Sequence, residues 1–385
     1  MRLNFYIILI FVVFSCKKDE SSKIEVKNNN LKRTSTCNLK NVNSISFGID
    51  NSMSYRFISH QVVSKNNQDY LIVGDLNTNG ISILSFKDKK VIKKIEFKAK
   101  GPDGIASVKA GRNFYYHNKD SIFIFNQSKR SIYLTNDRAD VYQKYSLIEN
   151  KKNLGEVIVE NRFMPTFYNN ILNFCVYPIV PPYKNKSKKF KSIYVDYNIL
   201  DKKIDTGKLT YKYSDQNNRH PIYHYPSRVD DSLRLIFLHP FKSELKVYDK
   251  YKDTLYTKFF NHPYVDKYTP FLESFDKMKR FDVESTLNNV LLFNKKQQLY
   301  YVITELGIPF VNPNNGEENA YEEKPFSVIV FDKNLQAIAH KKFNGGQYFI
   351  QNSFAGLEGL YLNTNNPYNP NFNENTYSYH IYTCK

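Results

Sequence analysis

From about residue 40 to the C-terminus, short runs of Tyr, Ile, Phe and Val alternate with polar stretches of Asn, Asp, Lys and Gly. Runs of this length and composition, bounded by turn residues, read as β-strands. No helix-period segment longer than ten residues stands out, and only Phe271 to Asn288 offers room for a helical turn. The runs group into a loose repeat of about six units. The first holds Asp69–Val73, Gly80–Phe86 and Val91–Phe97; the second holds Asn113–Tyr116, Ser121–Phe125, Ile132–Leu134 and Val141–Leu147. The third covers Ile171–Val180, Ile193–Tyr197 and Ile204–Tyr213, and the fourth Leu233–Leu238, Glu244–Asp249 and Asp253–Phe260. The fifth covers Val290–Phe293, Leu299–Thr304, Ser327–Asp332 and Ala337–Phe343, and the sixth Tyr348–Ile350, Gly359–Leu362 and Ser378–Tyr382. Several strands end in Asp followed by a polar turn, as at Asp196, Asp249 and Asp332, where the carboxylate closes the turn.

Repeated four-stranded antiparallel meanders hide their edges by closing radially, so the pattern predicts an all-β protein, a β-propeller of six blades. A pair of sandwiches or a seven-bladed ring fits an uneven period as well. The strand Ser44–Gly48 has no repeat of its own, and pairing it antiparallel to Tyr377–Thr383 would complete the last blade. That pairing brings Cys37 beside Cys384 and makes them a disulfide candidate, a clasp on the ring. Cys175, inside the apolar run from Leu172 to Tyr177, reads as a small buried residue.

The N-terminus has a different grammar. Arg2 precedes an unbroken apolar run from Phe5 to Phe14, too short to span a bilayer and suited to a signal peptide. The run ends in Val13-Phe14-Ser15-Cys16, which resembles the lipobox of bacterial lipoproteins, with Phe14 where that box prefers a small residue. The resemblance implies cleavage after residue 15 and a lipid on the Cys16 thiol. Lys17-Lys18-Asp19-Glu20 resembles the export signal of Bacteroidetes surface lipoproteins. Residues 1–15 are then signal peptide, 16–36 a polar tether, and 37–385 one propeller domain.

Composition narrows the partners. The 385 residues carry 55 Lys+Arg against 37 Asp+Glu, a net charge of +18. Lysines outnumber arginines about four to one and are scattered, which argues against nucleic acid, whose specific readout favours arginine forks. The one dense run, Lys184–Lys191, reads as solvated surface before it reads as an anion patch. With 16% aromatic residues the chain is too apolar for a disordered protein, and its mean hydropathy of −0.54 is too low for a multi-span membrane protein.

Candidate chemistry is sparse. Asp75-Leu76-Asn77-Thr78-Asn79-Gly80 matches the start of a calcium loop, but Phe86 stands at the twelfth position and Asn79-Gly80 is a hairpin signal, so a turn is expected and no metal. Arg219, His220, Tyr223 and His224 form the densest imidazole cluster; with His239 they are the candidates for a polar binding rim. Asp103, in Lys100-Gly101-Pro102-Asp103-Gly104, sits in a tight turn that could border a ligand face. No P-loop, zinc spacing, G-x-S-x-G or H-E-x-x-H occurs.

The lipobox, the acid-flanked tether, the Gly101-Pro102-Asp103-Gly104 turn and the strand start Asp120-Ser121-Ile122-Phe123 together resemble a Bacteroidetes lipoprotein family known as domain of unknown function 4221. That family is similar to six-bladed propeller lipoproteins of the same phylum. The resemblance covers roughly residues 40–385 and implies fold and address, with no known activity, catalytic residue or cofactor. The expected function is therefore binding: a monomeric lipoprotein of the outer membrane, on the cell surface or the periplasmic face, whose propeller takes a protein, peptide or glycan ligand. The rival is an envelope enzyme, a polysaccharide lyase or hydrolase, using His220, His224 or His239 with a carboxylate.

Overall fold

The computed structural model describes residues 36–50, 53–57, 59–75, 77–105, 113–147, 156–177, 194–207, 226–268 and 277–385. The chain opens with β1 (Leu39–Gly48). A meander follows of β2 (His60–Lys65), β3 (Gln68–Gly74), β4 (Gly80–Ser85) and β5 (Lys90–Glu96). The second is β6 (Phe114–Asn118), β7 (Ser121–Asn126), β8 (Ser131–Thr135) and β9 (Val141–Ser146). In the third, β10 (Glu156–Ile158) and β11 (Thr166–Tyr168) both pair with β12 (Ile171–Tyr177), followed by β13 (Tyr194–Asn198) and β14 (Lys203–Thr206). The fourth is β15 (Ser227–Asp230), β16 (Arg234–Leu238), β17 (Glu244–Asp249) and β18 (Thr254–Phe259). Helix α1 (Met278–Glu284) precedes the fifth: β19 (Leu287–Asn294), β20 (Leu299–Glu305), β21 (Phe326–Phe331) and β22 (Ala337–Phe343). The last contains β23 (Phe354–Gly356), β24 (Gly359–Asn363) and β25 (Thr376–Cys384).

Several middle strands are buried almost along their whole length because both faces are covered. β4 and β21 are buried at every position, and β7 at all but its first. The last strands of the meanders differ: β5, β9 and β18 are half-exposed and rich in Lys, Gln, Thr and Tyr, which suits a sheet edge. Hairpins close on residues with positive φ, as at Asn66-Asn67 and Asn169-Asn170, where two consecutive left-handed residues match the strand twist.

Each junction between successive meanders has its own apolar cluster. Ile72, Ile83, Phe114 and Ile124 join the first to the second; Phe125, Tyr145, Leu172 and Tyr197 join the second to the third. Phe163, Cys175, Tyr194 and Phe237 join the third to the fourth, so Cys175 is a buried packing residue. Ile236, Val247, Tyr300 and Ile329 continue to the fifth, and Tyr301, Val328, Leu360 and Tyr382 to the last. Phe47, Leu71, Phe354 and Tyr379 then bring the last meander back against the first. Each fully buried Leu, Ile or Phe contributes about 1.5–3 kcal/mol, so the junctions hold the sheets in a closed series.

The sequence pattern predicts six separate four-stranded sheets; the structure has five. Three have four strands, one has five, and the fifth runs β2-β3-β4-β5-β1-β25-β24-β23. The cause is local. β1 pairs antiparallel with β25 from Leu39↔Cys384 to Gly48↔Thr376, and the Gly48 end of β1 also bridges Lys90 of β5 in parallel. That single bridge fuses the first and last meanders. Cys37 and Cys384 flank the start of the β1–β25 ladder, with Cα atoms 5.5 Å apart, and are disulfide-bonded. The segment Tyr348–Ile350, expected as a strand, is irregular at Tyr348 and Phe349 and enters a 3-10 turn, Ile350–Asn352, and the strand begins at Phe354. Asn352 is fully buried and Ser353 donates its N–H to the Ile350 carbonyl, so the chain turns inward there.

His60, on the first of these strands, gives the fold a pH dependence. Its ring packs edge-on to Phe57 at 5.0 Å and near Phe354 at 5.9 Å. Burial lowers its pKa to about 4, opposed by a hydrogen bond to the Ser353 backbone. His262 is likewise lowered to about 4, by burial and then by His340. Unfolded imidazoles bind protons below about 6.5, whereas these two in the fold do so only near 4. Stability is therefore retained above about pH 6.5 and lost as pH falls toward 4, by about 3 kcal/mol for the fully enclosed His60 and less for His262. Denaturant midpoints measured from pH 7 to pH 4 should fall, and His60→Gln with His262→Gln should flatten the slope.

Candidate functional site

In an antiparallel meander the links between meanders and the middle turn fall at one end, and the first and third turns at the other. At the link end, segments from several meanders converge on a cavity of about 450 Å³. Arg56 and Phe57 reach it just before β2. Glu160, Asn161 and Arg162 come from the 3-10 turn between β10 and β11. Asp282, Ser285, Leu287 and Asn289 come from α1 and the start of β19, Glu305 and Tyr321 from the β20–β21 link, and Phe349 and Gln351 from the approach to β23.

The floor of the cavity is a buried ion pair. Lys324 Nζ lies 3.0 Å from Glu305 Oε2, and both side chains are 3% exposed. The ammonium also donates to the carbonyls of Asp282 and Ser285 at 2.8 Å each, so its three N–H bonds are used. The other Glu305 oxygen accepts from Asn289 Nδ2 and from the Tyr321 hydroxyl. Burial and then the Glu305 charge push the Tyr321 phenol well above its ordinary pKa, so it stays a donor. Gln351 Nε2 donates to the Tyr321 oxygen, and Asn161 Nδ2 to the Gln351 carbonyl. Arg162 donates to Glu160 at 3.2 Å and to Asn289 Oδ1 at 3.4 Å. Hydrogen bonds thus link the third, fifth and last meanders around the cavity.

The walls are held by close backbone approach. A Cβ at Gly307 would lie 2.0 Å from the Glu284 carbonyl, so only glycine lets the β20–β21 link press against the end of α1. Arg56 pairs with Glu322 at 2.8 Å and lies over Phe349, 5.1 Å from its ring centre. Three buried polar atoms of lining residues have no hydrogen-bond partner among the described residues: Arg56 Nε, Ser285 Oγ and Gln351 Oε1.

Chemically, the cavity offers donors and acceptors in nearly equal supply, with charges largely balanced and aromatic faces at Phe57, Tyr321 and Phe349. That combination suits a polyol or a short polar chain better than a bare anion. No histidine or cysteine lines it, and no group of three or more His, Cys, Asp or Glu suited to a metal occurs among the described residues.

The sequence-predicted residues fall elsewhere. Cys16, Arg219, His220, Tyr223, His224 and the Lys184–Lys191 run lie outside the described residues. His239 sits in the turn after β16, where its Nδ1 accepts the Phe241 N–H at 3.0 Å, and it does not line the cavity. Asp103 is half-exposed in the turn after β5, 3.8 Å from Lys98 Nζ, and does not line it either. The Asp75 loop is a turn closed on itself: the carboxylate accepts from the Asn77 N–H at 3.0 Å and the Thr78 hydroxyl at 2.9 Å. Glu305 and Lys324, the centre of the observed site, did not stand out in the sequence. Their signal is a Glu at the end of the apolar run from Leu299, since a charge buried there requires a partner.

Sheets of antiparallel meanders, joined in a closed series with a cavity at their link end, define an all-β, propeller-like protein. The particular family is also identified. Residues 34–342 match the family described as Domain of unknown function (DUF4221), and the chain belongs to it. It is similar to the crystal structure of a family member from Bacteroides vulgatus, with a TM-score of 0.78 at 18% identity, covering 92% of this chain and 99% of that one. It is also similar to a candidate exported protein from Bacteroides fragilis, with a TM-score of 0.53 at 12% identity, covering 93% and 98%. At these identities the likeness concerns the fold alone. Among curated proteins, none matches the chain. No helix among the described residues is long and apolar enough to cross a membrane.

Proposed function

We propose that the chain is a monomeric outer-membrane lipoprotein whose propeller binds a glycan in the link-end cavity, without catalysis, cofactor or nucleic acid. Residues 1–15 are removed, Cys16 carries the lipid, residues 16–36 form the tether, and residues 37–385 form the binding domain. In this reading the eight-stranded sheet, whose two halves meet at a single bridge, stands for two blades of a six-bladed ring.

The observation that carries the reading is the cavity itself. Its volume accommodates a sugar or two, and its lining combines planar Arg, Asn, Gln and carboxylate groups with Phe57 and Phe349. The lining side chains Ser285, Gln351 and Arg56 each keep one buried polar atom without a partner among the described residues, a mixed set of donors and acceptors that a small turn of the side chain would offer to sugar hydroxyls. Titration against a panel of neutral and acidic oligosaccharides should find a ligand. Arg162→Ala should then weaken it roughly 10- to 100-fold, the value of a hydrogen bond to a charged group. A panel without a binder, or a binder indifferent to Arg162→Ala and Gln351→Ala in proteins that still melt normally, would refute the site. Product formation on the same panel would favour the envelope-enzyme reading instead.

A further inference from the structure

The opposite end of the ring carries the first and third turns of the meanders. Neighbouring meanders present these turns on one face. Arg234 of the fourth donates to the Lys333 carbonyl of the fifth at 2.9 Å, Gln297 of the fifth to the Glu358 carbonyl of the last at 3.2 Å, and the Leu357 N–H of the last to Asp69 of the first at 2.6 Å.

The turns of the third and fourth meanders carry bulky apolar side chains where polar residues are usual. Tyr168 is 77% exposed, Leu200 70%, Leu233 67% and Tyr251 92%. They belong to both turns of each meander, so they lie along one end of two adjacent sheets. Lys202, Lys203 and Lys252 stand exposed in the same turns, and Lys295, Lys296 and Lys333 in those of the fifth. Three acids of the fourth meander have local partners: Asp231 holds Arg234 at 2.8 Å, Asp230 holds Lys250 at 2.6 Å, and Asp253 accepts from Tyr248 at 2.7 Å, whereas Asp201 of the third stands exposed between Leu200 and Lys202 and offsets one of the lysines. The face thus combines protruding Tyr and Leu with exposed ammonium groups.

The described chain also begins on this face. The Thr36 N–H donates to the Ile338 carbonyl at 2.9 Å, just after the third turn of the fifth meander, and Cys37 is bonded to Cys384. Cys16 precedes Thr36 by twenty positions, which as the tether of the proposed lipoprotein would reach about 25 Å. A lipid on Cys16 would hold this face, not the cavity face, within that distance of the bilayer.

We propose that this hairpin face docks on an anionic lipid surface, with Tyr168, Leu200, Leu233 and Tyr251 entering the interfacial region and the surrounding lysines meeting lipid phosphates. The proposal rests on the lipidated-Cys16 reading for how the chain reaches the membrane. Tyrosine favours the headgroup level, and each nearby Lys adds about five-fold to binding. Docking would turn the cavity away from the membrane, toward arriving ligand.

The chain contains no Trp, so one introduced indole is a clean probe. Tyr251→Trp places it on the docking face. Tyr368→Trp places it in the middle turn of the last meander, at the cavity end, where Tyr368 is also exposed. Full-length lipidated protein is reconstituted in phosphatidylcholine vesicles with and without phosphatidylglycerol. The Tyr251→Trp emission should shift to the blue and be quenched by brominated lipid on anionic vesicles, while Tyr368→Trp stays unquenched. Lys202→Gln, Lys203→Gln and Lys252→Gln should each weaken binding of the unlipidated Cys16→Ser protein roughly five-fold. Equal quenching at both positions, or equal quenching with and without phosphatidylglycerol, would overturn the proposal. The mass of the N-terminal peptide reports lipidation separately: an unlipidated Cys16 with Tyr251→Trp still quenched at excess vesicle removes the anchor and keeps the docking face.

Discussion

Lys324→Met should lower stability by about 3–5 kcal/mol, the cost of leaving one member of a buried ion pair without its partner. Glu305 would then keep a charge at a site 3% exposed, with only Asn289 and Tyr321 as donors. The carbonyls of Asp282 and Ser285 would lose their donor, and these form the C-terminal end of α1. A cation there satisfies carbonyls that a helix cannot satisfy itself. Denaturant unfolding with the disulfide intact is the measurement. Glu305→Leu should cost a similar amount by stranding the ammonium. The double variant, Lys324→Met with Glu305→Leu, should cost clearly less than the sum, because neither charge remains buried. It should not return fully to the parent, since the Asn289 amide, the Tyr321 hydroxyl and two carbonyls still lose partners. Strict additivity would show that the pair is not coupled. Ligand binding should fall in all three variants, because the same ion pair positions Asn289 and Tyr321 in the cavity wall.

The parts of this fold that are legible in the sequence are those whose burial is continuous. Ser121–Phe125 and Leu299–Thr304 correspond almost residue for residue to β7 and β20, which are covered on both faces and nearly continuously apolar, and Glu244–Asp249 corresponds to β17, where Leu245 and Val247 alternate with polar residues. The first strands of several meanders are not legible. β11 (Thr-Phe-Tyr), β15 (Ser-Arg-Val-Asp) and β23 (Phe-Ala-Gly) have three or four residues, too few to show a period, and β2 begins with His60 and Gln61. Their burial is achieved by hydrogen bonding, not by composition. Arg228 of β15 is buried yet donates to the Met164 carbonyl at 2.8 Å and the Asn173 carbonyl at 3.1 Å, and Gln61 exchanges two 2.9 Å bonds with the Tyr116 backbone. The cavity was hidden for the same reason. Part of its lining comes from the links that feed those short strands, where nothing periodic marks Arg56, Arg162 or Gln351. Imidazole density points to His220 and His224, which lie outside the described residues, and with them to His239, whose Nδ1 is occupied in its own turn. The pairing of the chain ends could be anticipated because a lone strand without a repeat has one place to go.

Replacing Cys37 and Cys384 by Ser should cost about 2–5 kcal/mol, the usual loss on removing a native disulfide. The sequence separation is 347 residues. For a loop that long the chain-entropy relation gives about 6 kcal/mol, an upper bound because the opened chain retains local structure. The loss should begin at one place. β1 has no hairpin turn to a partner and is held by its ladder to β25, by burial of Leu39 and by the clasp. Without the clasp the Leu39 end of β1 is no longer tied covalently to β25, and its amides should exchange at local-opening rates while those of β20 and β21 keep global protection. The check is hydrogen exchange on oxidised and reduced protein, with unfolding midpoints alongside. Equal midpoints and equal β1 protection would show that the clasp is idle. Under the proposed anchoring the bond has a second consequence. Any pull through the tether enters the fold at Cys37 and passes through sulfur into Cys384 of β25, a strand paired on both sides. In the Ser variant the same pull would peel β1 from its Leu39 end, one ladder bond at a time. The variant should therefore be cut by protease near Leu39 far faster when membrane-attached, and the parent should not.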